Sequence, residues 1–74
     1  MLTAVRFSRH AKNEMRLYKI TATDVRSVID APERVAHDDR GNRRLTGPDT
    51  NDRAIIVVIA GDDPSFVITT FPQD

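Results

Sequence analysis

Ala54-Ile55-Ile56-Val57-Val58-Ile59 is an unbroken apolar run, with Asp52-Arg53 before it and Ala60-Gly61-Asp62-Asp63-Pro64 after it. Its side chains are mostly β-branched, which suits a pleated surface, and six residues are too few for a stable helix, so the run reads as a strand. Successive side chains of a strand point to opposite faces. An apolar run without alternation therefore implies that both faces are covered, which puts this strand in the middle of a sheet with packing on each side. The rest of the chain has to supply that cover.

On the C-terminal side, Gly61 to Pro64 makes a turn and Ser65 to Phe71 forms the last strand, with Phe66, Ile68 and Thr70 on one face and Val67, Thr69 and Phe71 on the other. Pro72 ends the pairing, because it has no N–H to give. On the N-terminal side, Gly47-Pro48-Asp49-Thr50-Asn51-Asp52 is a loop, preceded by a strand from Arg43 to Thr46. Before that, Asp38-Asp39-Arg40-Gly41-Asn42 is a turn of residues that tolerate positive φ, and Glu33 to Asp38 is a short polar strand around Val35. Loops of hairpin length between these strands predict an antiparallel meander of four.

Two helices precede the meander. Ser8 caps the first, and Arg9 to about Tyr18 contains good helix formers and neither Gly nor Pro. Ala11, Met15 and Tyr18 fall on the face that packs on the sheet, with His10 and Glu14 at its edge, one turn apart. Thr21-Ala22-Thr23-Asp24 is close to a capping box, and Ile20 with Val25 fits a hydrophobic staple. Ala22, Val25, Val28 and Ile29 form the second stripe, and the helix stops near Ala31 because Pro32 disfavours helical backbone in the residue before it. Thr3 to Phe7 reads as a short strand or an extended lead-in. The predicted class is α+β: two short N-terminal helices packed on a four-stranded antiparallel sheet, as one domain over residues 1–74.

At this length the core is small, and a partner would help it. Of the residues, 30% are charged and 39% hydrophobic, as in an ordinary soluble globular protein. The chain has no cysteine, which removes disulfides, thiolate catalysis and cysteine-ligated metal centres together. No apolar stretch approaches the roughly 20 residues of a membrane helix, so the expected location is the cytoplasm. Net charge is zero, but residues 1–44 hold ten Lys/Arg against six Asp/Glu, whereas residues 45–74 hold one against five. The basic half could form a patch of its own, or its charges could scatter over solvated surface.

Candidates for chemistry are few. His10 can act as acid or base near neutral pH, and Glu14 one turn later could orient it; the plainer alternative is a core-edge histidine bonded to backbone. His37 lies in the polar strand beside Asp38 without metal-ligand spacing, so no metal is expected, and no cofactor motif is present. Arg43 and Arg44 follow the first sheet turn and Arg53 opens the central strand. Each offers a planar fork suited to phosphate, or pairs with Asp39, Asp49 or Asp52 at the surface. Thr69 and Thr70 could hydrogen-bond a phosphate or base, or serve simply as strand residues. One tyrosine, three phenylalanines and no tryptophan leave little for base stacking.

Phe7-Ser8-Arg9-His10-Ala11-Lys12-Asn13-Glu14-Met15 resembles the opening of a family of small bacterial and phage proteins of unknown function, whose first helix carries Ser-x-His-Ala-x-x-Arg-Met. Ile20-Thr21, Pro32, Gly41-Asn42, Arg53 and Ile68-Thr69 continue the match in order, over nearly the whole chain. That family is similar in layout to the BrnT and RelE-like toxins, compact metal-independent ribonucleases in which N-terminal helices pack on an antiparallel sheet. The resemblance implies His10 as acid/base, Arg44 and Arg53 as phosphate and transition-state partners, and Thr69 as a further contact. Arg9, Arg16 and Arg43 would bind RNA, the 2′-hydroxyl would be the internal nucleophile, and an antitoxin would be the protein partner. Glu14 and Tyr18 stand where the family carries arginines, which removes positive charge beside His10; the chain is then a degenerate member, or Glu14 is itself the base. The other class of function is a non-catalytic interaction module that binds a protein partner or itself. A nuclease needs His10 and at least two of Arg43, Arg44 and Arg53 in one cleft, whereas a module leaves them dispersed beside an apolar patch.

Overall fold

A computed structural model describes residues 5–73. Its elements run β1 (Arg6–Phe7), α1 (Arg9–Tyr18), α2 (Ala22–Asp30), β2 (Arg34–His37), β3 (Arg43–Pro48), β4 (Ala54–Ile59) and β5 (Phe66–Pro72). One five-stranded sheet has the order β1-β5-β4-β3-β2. β2 to β5 form the expected antiparallel meander, and β1 adds a short strand parallel to β5, with Arg6 opposite Phe66 and Phe7 opposite Val67. The sheet is therefore mixed. Of the lead-in Thr3 to Phe7, residues 3 and 4 lie outside the described residues.

The apolar run is β4, in the middle as its composition requires, but the helices cover one face of the sheet only. Cross-strand neighbours share a face, so the registers sort the side chains into rows. Val35–Leu45–Val57–Thr70 and His37–Arg43–Ile59–Val67 face the helices. Ala11 of α1 and Val25 and Val28 of α2 pack against Leu45, Ile55, Val57, Ile59 and Val67 to form the core, with Ile20 between the helices. Arg34–Thr46–Ile56–Phe71 and Ala36–Arg44–Val58–Thr69 form the opposite, open face. Ile56 and Val58 are only 8% exposed there, screened by side chains of the flanking strands and not by a second layer.

The helix starts are as predicted. Ser8 Oγ accepts from the Ala11 N–H at 2.9 Å, and Thr21 and Asp24 close a capping box. Lys19, at φ 57°, ends α1 in the left-handed conformation. Two stripe positions differ: Ala22 and Tyr18, the first residue of α2 and the last of α1, are exposed. β3 also continues through Gly47 and Pro48, which composition assigns to a loop. Gly47 lies beneath α2, where a Cβ would meet Val28 Cγ1 at 3.5 Å and the Ala31 carbonyl oxygen at 3.6 Å, and Pro48 sits at the strand end, where a missing N–H costs least. Pro72 keeps register with Ile55 for the same reason.

In β5 the register steps from Ile59–Val67 to Val58–Thr69, which leaves Ile68 as an extra residue in a β-bulge. Alternation resets there. Val67 and Thr70 face the core, while Ile68, Thr69 and Phe71 share the open face, so the simple two-residue alternation predicted for this strand fails from Thr69 onward, at Thr69, Thr70 and Phe71. Ser8 Oγ donates to the Ile68 carbonyl at 2.5 Å while accepting from Ala11 N–H, so one hydroxyl caps α1 and holds the bulge. Ser8→Ala is expected to cost about 1–2 kcal/mol, from the lost cap and the carbonyl left without its donor, read as a lower urea midpoint with unchanged m-value.

Candidate functional site

Three aspartates build the hairpin turns and so set which side chains meet. Asp38 Oδ1 accepts from the N–H groups of Arg40 and Asn42, each at 2.8 Å, and Gly41 takes φ 81° to close the turn. Partial desolvation raises the Asp38 pKa, but the hydrogen bonds from Asn42 and Arg40 and the Arg40 charge outweigh it and hold the carboxyl below its usual range. Asp49 is buried and accepts from the N–H groups of Asn51 and Arg53 at 2.8 Å and from Arg53 Nε at 3.1 Å. Asp63 accepts from the Ser65 N–H at 3.1 Å and pairs with Arg6, whose guanidinium lies over the Phe66 ring.

Between these turns the open face carries a groove of about 440 Å³. Val58, Ile68 and Phe71 line its apolar part, Arg44 and Thr69 stand beside them in one cross-strand row, and Asp38, Asp39, Arg40 and Asn42 close the end. Arg34, in the adjacent row, extends the basic side. Neither Arg34 nor Arg44 forms an ion pair among the described residues. Arg44 and Thr69 are thus brought together, helped by the bulge that turns Thr69 outward.

The other candidates lie elsewhere. His10 and Glu14 are on α1, across the sheet from Arg44; His10 Nε2 is 4.0 Å from Glu14 Oε1, with the His10 side chain 66% exposed. Arg9 and Arg16 are exposed on the same helix. Arg43 points to the helix face, in the row of Ile59 and His37. Arg53 is at the far end, where Nη1 donates to the Tyr18 carbonyl at 2.9 Å and Nε to Asp49. It ties the β3–β4 loop to the end of α1. Arg44 thus faces the open side, Arg43 the helix side with His10, and Arg53 the far end, so no two of these arginines share a face and an end of the sheet with His10. No group of three potential metal ligands occurs among the described residues, and no described helix is long and apolar enough to cross a membrane.

Arg34, Ile68 and Phe71 belong to the groove's face without having been singled out in the sequence. Arg34 could have been found by alternation from Val35, whereas Phe71 is turned to this face by the bulge, which no local signal announces.

No curated protein and no solved structure matches the chain. The family described as "Domain of unknown function (DUF4258)" matches residues 7–72, from β1 to the last residue of β5, and the chain therefore belongs to that family.

Proposed function

We propose that this is a cytoplasmic, non-catalytic protein-interaction module whose open sheet face receives an amphipathic helix with acidic flanks. The observation that carries this reading is the separation of the groups that cleavage would need. A general acid or base works within about 3 Å of the proton it moves, and His10 lies in the helix layer while Arg44 and Thr69 face the other way. What the open face does offer is an apolar floor of Val58, Ile68 and Phe71 with Arg34 and Arg44 at the side, the composition of a protein interface with an apolar centre and arginine-rich border. A helix is the natural cover for a sheet with one bare face. In a toxin-antitoxin setting that helix would belong to the antitoxin.

A second reading keeps the ribonuclease of the BrnT and RelE-like type. It is favoured by Arg44 and Thr69 sharing one groove, where a guanidinium and a hydroxyl could hold a phosphate. Induced expression of the wild type, His10→Ala and Arg44→Ala separates the two. The interaction module leaves growth and total RNA intact in all three strains. Growth arrest with RNA loss in the wild type, relieved by either substitution, would establish the nuclease instead. As a positive probe, a synthetic helix with a leucine stripe between glutamates should bind the wild type and lose about tenfold or more in affinity on Arg44→Glu, since truncating or reversing a charge against its partner costs upwards of 1.4 kcal/mol.

A further inference from the structure

β2 is the outer strand of the sheet on one side, and all four of its residues are exposed. An edge of this kind presents unpaired backbone N–H and C=O groups. At the opposite edge β1 covers only Phe66 and Val67 of β5, but no residue of β5 is exposed, whereas every residue of β2 is. Val35 is the conspicuous side chain on it. It continues the row Thr70–Val57–Leu45, whose other three members are buried, yet is itself 51% exposed. The core row runs out into solvent at that point.

We infer that β2 pairs antiparallel with β2 of a second copy of this chain, with Val35 opposite its own counterpart. The segment Glu33 to His37 complements itself when read against its own reverse. With Val35 at the two-fold axis, Arg34 faces Ala36 of the other copy, so each long cation meets a small side chain. His37, on the helix face, comes opposite Glu33, which lies one residue outside β2 and gives its own N–H to the Thr46 carbonyl, so only the side chains and the His37 N–H are left to pair there. The row becomes Leu45–Val35–Val35–Leu45 across the seam, and the apolar stripe closes on itself. The open faces join into one surface, with Arg34 of each copy beside Ala36 of the other. This pairing does not depend on what the open face binds. Four residues a side bury far less than the roughly 800 Å² per partner of a standard stable interface, so the dimer is weak and forms at high concentration.

The absence of cysteine makes the register directly testable, because Val35→Cys carries a single thiol. Directly opposed residues of an antiparallel pair lie about 4.5–5.5 Å apart at Cα, within disulfide reach. In this register Ala36 and its counterpart are offset by two residues, about 8 Å apart, and cannot be bridged. Mild oxidation should therefore convert Val35→Cys, but not Ala36→Cys, to a disulfide dimer. Sedimentation of the unmodified chain should show its mass rising from 8.3 kDa toward twice that value between about 10 μM and 1 mM, while Val35→Lys stays monomeric. Equal cross-linking of both cysteine variants, or a wild type that remains monomeric at the upper concentration, would overturn the proposal.

Discussion

Asp24→Ala should lower the melting temperature by about 10–20 °C, a loss of roughly 2–3 kcal/mol for a domain of this size. Asp24 is 2% exposed, and each of its oxygens is used. Oδ2 accepts from the Thr21 N–H at 2.9 Å as half of the capping box, and Oδ1 accepts from the Thr50 N–H at 3.0 Å and the Thr50 hydroxyl at 2.6 Å. One carboxylate therefore starts α2 and fastens the β3–β4 loop to it. Truncation leaves two partly buried backbone donors and a hydroxyl without their acceptor. The same contacts make the effect depend on pH. Burial raises the pKa of this carboxyl, and the hydrogen bonds from Thr21 and Thr50 outweigh it, bringing the pKa from 3.8 down to about 2. Below pH 4 the unfolded chain takes up this proton before the folded one does, so stability falls as pH drops. The contribution, about 2 kcal/mol from the shift, is fully present above pH 4 and lost between about pH 4 and pH 2. Asp24→Asn should flatten that acid limb of the melting-temperature profile without abolishing it, since Asp38 contributes in the same direction. An unchanged limb would mean that Asp24 is not the group responsible.

Asp49→Ala is the second large effect, about 2–4 kcal/mol, because it removes the acceptor of two backbone N–H groups and of the Arg53 guanidinium. The Asp49 side chain is 1% exposed, so water cannot replace what is lost there. Arg53→Ala should cost less, about 1–2 kcal/mol, because that side chain is 40% exposed and its contact with the Tyr18 carbonyl is open to water. The pair of urea-unfolding midpoints decides what Arg53 is for. If Arg53→Ala leaves stability unchanged, the residue is free to act on a ligand, and its place among the phosphate-binding candidates is restored. A drop of the expected size assigns it to holding the loop against α1.

The matching motif thus divides between scaffold and surface. Ser8 caps a helix and holds a bulge, Ala11 is the small residue that lets α1 approach the sheet, and Arg53 locks a loop to a helix end. His10, with its side chain in solvent, has no such structural role in these contacts. A family pattern that looks catalytic as a string of residue types is in good part a set of instructions for joining helices to sheet.

By itself the sequence determined the elements whose causes are local. The β-branched run of β4, the Ser8 cap, the Thr21–Asp24 box, the stop before Pro32 and the aspartate-led turns all depend on residues within a few positions of one another, and composition or spacing exposes them. Tertiary structure alone decided which faces those elements share. The bulge at Ile68 arises from fitting β5 against β4 and under Ser8, a contact between residues 60 positions apart, and it turns Thr69 toward Arg44. Arg43 and Arg44 are adjacent in the chain and end on opposite faces because a strand alternates, while Arg53 is drawn to Tyr18 across 35 residues. Whether three arginines and a histidine meet is a matter of register and layer, and register and layer are settled by packing at a distance.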